Sequence, residues 1–564
     1  MTLSLAAVLA ESAHRHADRV AVVDGGTRIT YERLWAEALA QAGALRGLGI
    51  GPGDRVALMM PNCAGFPRSY YAILAAGAVV VPVHLLLTAD EIAYVLRDAD
   101  VRLLVCAEGL METGAAAAAT AGVPVIGARA VEGTPDAWVD TLEAAAGAVG
   151  PLASYESTDP GDPAVIFYTS GTTGRPKGAI LTHPNLVMNA TVNAFDVIDL
   201  SREDVALGCL PLFHTFGQSV SMNALFRIGG TLVMQTRFDP HRALDLMVEE
   251  GVTVFHGVPT MYVALLAAAR ARPSTILPKP RYCVSGGAPL PVSVHREAAE
   301  VFGARILEGY GLSETSPSAT VHHPGFGVRP GTVGHAVWGV DVGIALADVE
   351  DSVELLPAGA LGEIVVRGHN VFAGYFGRPE ETAKALVDGW FRTGDLGTKD
   401  SDGFVTVVDR KKDLVIRGGF NIYPREVEEI LLDHPSVAEV AVIGLPHPVH
   451  GEEVCAVVVP RTDAAGGSDG AVDFSEDELR EWSRTRLGRH KYPRIVVRTD
   501  AMPLGPSHKV LKRELRQRYG HLVATDPAGA DGSSGAGITT GAKGIAGAKD
   551  TAGVEETAGV QGTA

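Results

Sequence analysis

The sequence predicts an α/β protein. The expected architecture is a large N-terminal domain of layered α/β sub-domains with a β-rich sub-domain, followed by a small, mobile α+β C-terminal domain. Three observations carry this. Short apolar runs of strand length alternate with helix-length amphipathic stretches, the pattern of largely parallel sheets covered by helices. From about Gly362 the pattern changes to shorter strands separated by turns. After the charged stretch Asp409-Arg410-Lys411-Lys412-Asp413, a further region to about Gly520 is long enough to stand as its own lobe. The expected division is 1–411, 412–520 with a hinge at its start, and a tail over 521–564.

Taken in order, the apolar segment Met1–Ala10 has no Lys or Arg before it and is followed by Glu11, so it does not read as a secretory signal. Tyr31–Leu48 reads as an amphipathic helix, and Arg55–Met60 as a strand. Tyr70–Leu87 is 18 residues without a charged side chain, at the lower limit for a membrane span. Gly77 and Pro82 divide it, which favours a buried helix end over Tyr70–Ala76 and a buried strand over Val79–Val83. Strands are expected at Leu103–Cys106, Ala164–Tyr168, Val205–Leu210, Thr231–Met234 and Val252–His256, with a helix over Pro240–Glu250. Glu363–Arg367 and Gly403–Val408 are the short strands of the β-rich sub-domain. Beyond the charged stretch the expected order is strand, helix, strand, strand, helix, strand, helix. In 525–564, Gly, Ala and Thr fill 25 of 40 positions, with no aromatic residue and no Leu. Such a segment buries too little apolar area to offset its ordering entropy and is expected to be disordered.

Composition excludes several classes of function. Of 564 residues, 48 are Lys or Arg and 66 are Asp or Glu, a net charge of −18 that lacks the basic footprint of a nucleic-acid binder. The 46% hydrophobic and 20% charged content is that of a globular protein rather than a multi-span membrane protein. Five cysteines, at 63, 106, 209, 283 and 455, form no CxxC or zinc spacing, and an odd count argues against a disulfide framework. A reducing cytoplasm is the expected location.

One loop stands out. Tyr168-Thr169-Ser170-Gly171-Thr172-Thr173-Gly174-Arg175-Pro176-Lys177-Gly178 lies between two apolar strands. Glycines let backbone N–H groups approach phosphate oxygens, hydroxyls donate, and lysine adds a point charge, so the loop suits a polyphosphate. It is not a Walker A loop, because Pro176 precedes Lys177 where that motif needs Gly, and no Ser or Thr follows.

Four further blocks follow: Glu308-Gly309-Tyr310-Gly311-Leu312-Ser313-Glu314-Thr315, Ser285-Gly286-Gly287-Ala288-Pro289, Trp390-Phe391-Arg392-Thr393-Gly394-Asp395 and Pro211-Leu212-Phe213-His214-Thr215-Phe216-Gly217. Alone, each has a plainer reading: a capped helix start, a turn after a strand, a turn residue, a packed core histidine. Together and in this order over residues 10–520, the chain resembles the adenylate-forming superfamily of acyl- and aryl-CoA synthetases, amino-acid adenylation domains and luciferases. Within it, the chain is most similar to medium- and long-chain fatty-acid–CoA ligases.

The resemblance implies that Thr169, Ser170, Gly171, Thr172, Thr173, Gly174 and Lys177 cradle the phosphates of ATP, and that Gly286, Gly287 and Ala288 line the adenine pocket. Glu308, Gly309, Tyr310 and Gly311 belong to the same cofactor site, with Tyr310 stacking on adenine. Ser313 donates to the α-phosphate, and Glu314 holds Mg²⁺, a hard cation suited to carboxylate and phosphate oxygens. Asp395 accepts from the ribose hydroxyls and Arg410 adds a ribose contact. His214 gates the passage between acyl pocket and thiol channel. Lys412 is the pivot, and Gly418 and Gly419 form the glycine loop used with coenzyme A. In Pro503-Leu504-Gly505-Pro506-Ser507-His508-Lys509-Val510, Lys509 bridges carboxylate and α-phosphate; His508 stands where the family usually has Gly.

The implied reaction is AMP-forming ligation of a carboxylic acid to CoA through acyl-AMP. Phe213, Phe216, Val258 and Met261 are apolar, and no Asp lies in 211–220 to pair a substrate amine, so an unaminated acid is expected. Aryl acids and a short dicarboxylate such as malonate are the alternatives; the latter needs a cation, for which Arg227 and Arg329 are candidates. An acyl-AMP ligase that loads a carrier protein and, on account of His508, a degenerate nucleotide-binding relative are the other classes. Expected partners are a fatty or other apolar carboxylic acid, ATP and CoA, then a homodimer partner and a lysine acetyltransferase acting on Lys509. Neither nucleic acid nor a transmembrane segment is expected.

Overall fold

The computed structural model describes residues 3–130, 141–169, 175–272, 276–461, 475–504 and 510–522. The expected tail therefore lies outside the described residues, apart from 521 and 522.

Two large sheets dominate. In the seven-stranded sheet, Pro163–Thr169, Val79–Pro82, Arg55–Met59, Val101–Ala107 and Val125–Ala128 run parallel, in that spatial order. In the nine-stranded sheet, Arg305–Gly311, Tyr282–Ser285, Val254–Gly257, Val205–Gly208, Thr231–Met234 and Val20–Asp24 form the parallel core. Their residues are buried on both faces, as parallel strands covered by helices must be. Both sheets end in antiparallel returns: Lys177–Thr182 pairs back onto Pro163–Thr169, and Ser318–Val321 onto Arg305–Gly311.

The helices form where caps and apolar stripes permit. Tyr31–Gly47 starts at Thr30, whose side chain accepts from the Arg33 N–H, and Ala89–Asp98 starts with a full capping box between Thr88 and Glu91. The uncharged run near residue 70 is a helix, Gly65–Ala75, and a strand, Val79–Pro82, as expected from Gly77 and Pro82. Among the described residues, no helix is long and apolar enough to cross a membrane. All five cysteines are buried and free.

Two sequence expectations need correction. The β-rich sub-domain begins at the strand Val340–Ala345 rather than at Gly362; this strand pairs along its length with Gly362–Gly368. The C-terminal region has one more strand than expected. Val415–Arg417 and Phe420–Ile422 make a hairpin closed by Gly418 and Gly419 alone, with φ of 58° and 82°. Two-residue hairpin loops of this kind need positive φ at both positions, which glycine supplies without a Cβ penalty. The two glycines thus specify a tight turn, not a slack loop. The long strands Val437–His447 and Gly451–Pro460 complete this sheet, with Ile495–Arg498 at one edge and the helices Pro424–Leu432, Glu476–Arg484 and Lys512–Tyr519.

Candidate active site

The antiparallel returns place two loops at the carboxyl ends of the sheets, where ligands of open α/β sheets bind. Thr169, the last residue of one strand, is in register with Lys177, the first of its return. Ser170, Gly171, Thr172, Thr173 and Gly174 lie between them, outside the described residues. Thr169 Oγ1 donates to Glu314 Oε1 at 3.5 Å, which joins this loop to the one after Arg305–Gly311.

Glu314 is 8% exposed, and its burial pushes the carboxyl above the usual range. Tyr375 OH donates to the same oxygen at 3.0 Å. The Lys177 ammonium lies 5.3 Å from the Tyr375 ring centroid and 4.0 Å from Glu381. The sequence alone did not single out Tyr375. It sits on the two-residue strand Gly374–Tyr375, which pairs with Ile180 and Ala179, so a contact across some 200 residues of chain is made only by sheet topology.

A second unsignalled group supports the other end of the loop. Asp98 accepts from Tyr168 OH at 2.8 Å and from Arg378 Nη2 at 2.5 Å. Beside it, the Tyr94 hydroxyl lies 3.0 Å from the Pro176 carbonyl. Asp98 thus holds Tyr168 on one stem of the glycine-rich loop, and Tyr94 holds Pro176 on the other.

Tyr310 and Asp395 meet as the sequence blocks imply. Tyr310 OH donates to Asp395 Oδ2 at 2.7 Å, and Arg410 Nε lies 3.2 Å from Oδ1. Asp395 and Arg410 face each other in antiparallel register. Gly311 has no room for a side chain, since a Cβ there would lie 1.8 Å from the Pro317 carbonyl oxygen. Ser313 accepts from Thr215 Oγ1 at 3.3 Å, linking this loop to the His214 block. His214 Nδ1 accepts from the Phe216 N–H at 3.2 Å. A Cβ on Gly286 would come 3.2 Å from the Phe216 ring, so Gly286 borders the same space; Gly287 has φ +82° and faces Val258, and Ala288 is exposed.

Glu308 does something the sequence blocks did not suggest. Its Oε1 accepts from the Leu290 N–H at 3.0 Å, and its own N–H donates to His322 Nδ1 at 3.0 Å. Burial pushes its carboxyl up to about 7. It braces the segment after Gly286–Ala288, and Gly309 packs beside Val321.

Lys412 lies in the turn Lys411–Asp413 between the two antiparallel sheets, and burial lowers its pKa. The Gly418 N–H donates to the His450 carbonyl at 2.8 Å. Lys509 and His508 fall outside the described residues. The two arginines considered for a dicarboxylate are committed elsewhere. Arg227 lies 5.4 Å from the Phe195 ring and lines a surface hollow of about 280 Å³ with Glu11 and Arg15. Arg329 pairs with Asp400 and Asp402 and covers the Phe404 ring.

Comparison with known proteins identifies the family of the chain. Residues 9–376 match the model of the AMP-binding enzyme family, and 426–509 match the AMP-binding enzyme C-terminal domain. A feruloyl-CoA synthase of Amycolatopsis sp is 40% identical over 503 residues, covering 89% of this chain and 96% of that protein. A long-chain-fatty-acid–CoA ligase of Bacillus subtilis (strain 168) is 34% identical over 544 residues, covering 91% and 94%. The crystal structure of ATP-bound MatB from Rhodopseudomonas palustris superposes with a TM-score of 0.82 at 34% identity, covering 93% of this chain and 100% of that one. The chain belongs to the AMP-binding enzyme family of adenylate-forming enzymes and is an AMP-forming acid–thiol ligase.

Proposed function

We propose that the protein converts an apolar, unaminated carboxylic acid to its CoA thioester through an acyl-AMP intermediate. The carrying observation is the convergence of Thr169, Lys177, Glu314 and Tyr375 beside the Tyr310–Asp395–Arg410 cluster. Hydroxyl, ammonium and carboxylate groups there suit a triphosphate, and the paired Asp395 suits a ribose. In the first step a carboxylate oxygen attacks the α-phosphorus of ATP and pyrophosphate leaves. Carboxylate is already a nucleophile, so the site must chiefly stabilise charge on phosphate oxygens. Lys177 and Lys509 take that role, and Ser313 donates to the α-phosphate. In the second step the CoA sulfur attacks the acyl carbonyl, AMP leaves, and the thiol proton is released. Lys412 is the pivot between the steps, with the boundary between domains at 411/412, and the rigid Gly418–Gly419 turn lies along the pantetheine arm. His214 gates the thiol channel.

The residues present fit Mg²⁺ bound mainly by substrate. Glu314 is a single buried carboxylate, and among the described residues no three His, Cys, Asp or Glu gather into a cage of their own. Mg²⁺ characteristically binds through one or two carboxylates and substrate phosphates, and when bound it neutralises phosphate charge. The cytoplasmic location and the homodimer belong to the same proposal. So does acetylation of Lys509, which removes the charge needed in the first step.

The body of the acid is a medium- or long-chain fatty acid or an aryl ring. Both kinds of relative support this, and so do the apolar Phe216 and Val258. A dicarboxylate is disfavoured because Arg227 and Arg329 are engaged elsewhere. The test is a panel of fatty, aryl, dicarboxylic and amino acids with Mg·ATP and CoA, scored by pyrophosphate release and thioester mass. Acid-dependent pyrophosphate release with a thioester product is expected; release that ignores both acid and CoA overturns the reading.

A further inference from the structure

His256 is a buried side chain that the adenylation chemistry does not use. It is 1% exposed, on the strand Val254–Gly257 in the middle of the nine-stranded sheet. Neither ring nitrogen has a hydrogen-bond partner among the described residues. Burial pulls its pKa down to about 4, so the ring is neutral near pH 7. A neutral imidazole carries one N–H donor and one acceptor nitrogen. Leaving a buried polar group unpaired is costly, and such groups are rare without a reason.

Its surroundings point to the acyl end of the site. Side chains alternate along a strand, so His256 shares a sheet face with Val254 and lies opposite Phe255, which packs on Tyr262. Its parallel neighbour is Val284, two residues before Gly286, so the Cβ direction of Gly286 projects from the same face. The Phe216 ring occupies that face: it meets the Gly286 Cβ position at 3.2 Å and lies edge-on to His256 with centroids 6.4 Å apart. Phe216 is two residues from His214 and donates its N–H to His214 Nδ1. His256 thus stands one aromatic ring away from both the gate block and the glycine loop.

We propose that His256 is a specificity-determining residue that hydrogen-bonds a hydroxyl on the body of the carboxylic acid. A hydroxyl both donates and accepts, so it can pair with whichever nitrogen of the neutral imidazole faces the acid, donor or acceptor. A plain hydrocarbon chain would leave both nitrogens unpaired, and an anionic substituent would find no free cation in Arg227 or Arg329. The hydroxyl is carried either by an aryl ring or by an aliphatic chain, and the substrate pairs in the test separate these. The inference rests on the proposed ligase reaction.

The experiment compares matched acids with and without the hydroxyl: 4-hydroxycinnamate against cinnamate, and an ω-hydroxy fatty acid against its parent. kcat/KM is measured for wild type, His256→Leu and His256→Gln, with thermal melting to confirm folding. In wild type, one pair should favour the hydroxylated acid by about ten- to a hundredfold, the range for a buried polar site left unpaired. His256→Leu should collapse that ratio towards one while still turning over the unhydroxylated acid. His256→Gln, which keeps a neutral donor and acceptor, should restore part of it. A merely structural histidine would change both acids of a pair together and leave the ratio intact. Equal kcat/KM within both pairs in wild type, or a ratio unchanged in a folded His256→Leu, overturns the role of His256 while leaving the ligase reading standing. Absence of acid-dependent pyrophosphate release across the whole panel overturns the ligase reading and this inference with it.

Discussion

Replacing Arg392 by Met tests how Asp395, the carboxylate proposed to accept from ribose, is held. Arg392 and Glu363 are 9% and 3% exposed. The guanidinium donates to Glu363 Oε2 through Nε at 3.1 Å and Nη2 at 2.6 Å. It also donates to the carbonyls of Val349, Ser352 and Leu346. The other oxygen of Glu363 accepts from the Gly394 N–H at 2.9 Å, directly before Asp395. Arg392→Met leaves Glu363 buried with that single donor and strands three carbonyls. Breaking a buried pair from one side costs roughly 3–5 kcal/mol. At about 2.1 cal/mol/K per residue over some 500 residues, this lowers Tm by about 3–5 °C if the chain unfolds cooperatively. Glu363 then turns towards water and releases Gly394, so KM for ATP should rise while thioester formation from supplied acyl-AMP and CoA is less affected. The double variant Arg392→Met/Glu363→Leu removes the stranded charge and should regain most of the lost stability. Melting curves and separate half-reaction kinetics measure both effects. A single variant that melts within 1 °C of wild type with unchanged KM for ATP would refute the reasoning, and so would a double variant less stable than the single one.

Tyr375→Phe removes the 3.0 Å donor to Glu314, a hydrogen bond to a charged group of the kind that contributes about 1.5–3 kcal/mol. Adenylation kcat/KM should fall about 10- to 100-fold with little change in the thioester half-reaction; equal losses in both would contradict the assignment. Lys412→Pro restricts φ in the turn Lys411–Asp413 and should spare acyl-AMP formation but abolish thioester formation, as single-turnover assays of each step would reveal. Burial lowers His183, His256 and His322 to about 4, so from pH 6.5 down to 4 the unfolded chain binds more protons at these three sites and stability falls with pH. Glu308, raised to about 7, acts in the opposite sense between about pH 4.5 and 7, as do Glu314, Asp409 and Glu439, which burial also raises, so one histidine is isolated by comparing urea midpoints of wild type and His256→Leu at pH 7.0, 5.5 and 4.5; the variant should lose less stability on acidification, and an equal loss would count against a neutral buried His256.

The readable parts of this protein are those in which one segment carries its own information. Thr231–Met234 is a strand with the expected bounds, because an apolar run between Gly230 and a charged loop leaves little choice. Tyr310 and Asp395 each announced themselves through their blocks, and they do meet. The unread parts depend on which strands become neighbours. Tyr375 gains meaning only when Gly374–Tyr375 pairs beside Lys177, and Asp98 only when its helix packs against the glycine-rich strand turn. Glu308 reads like its motif neighbours, yet its carboxyl turns away to Leu290. His256 is hidden inside an apolar run, where the sequence offers only a strand.

The placement of the site follows from a change in strand direction. A parallel strand followed by a helix carries the chain away from the strand's carboxyl end. Where the next strand instead returns antiparallel, the connecting loop stays at that end. At the site this happens at Thr169 to Lys177 and at Gly311 to Ser318, in two different sheets. The contact from Thr169 to Glu314 is therefore a contact between two such loops, and Tyr375 clamps it from a third strand added to the first sheet. The β-rich sheet contributes Asp395 from a strand whose own neighbour supplies Arg410. Lys177, Asp395 and Arg410 are thus fixed by backbone pairing within a sheet, whereas Glu314 sits in the turn Ser313–Thr315 and is reached from the other sheet through side-chain hydrogen bonds. A substitution at Tyr375, whose hydroxyl joins its own sheet to Glu314 beyond the other, should accordingly shift the site's parts relative to one another before it unfolds any single sheet.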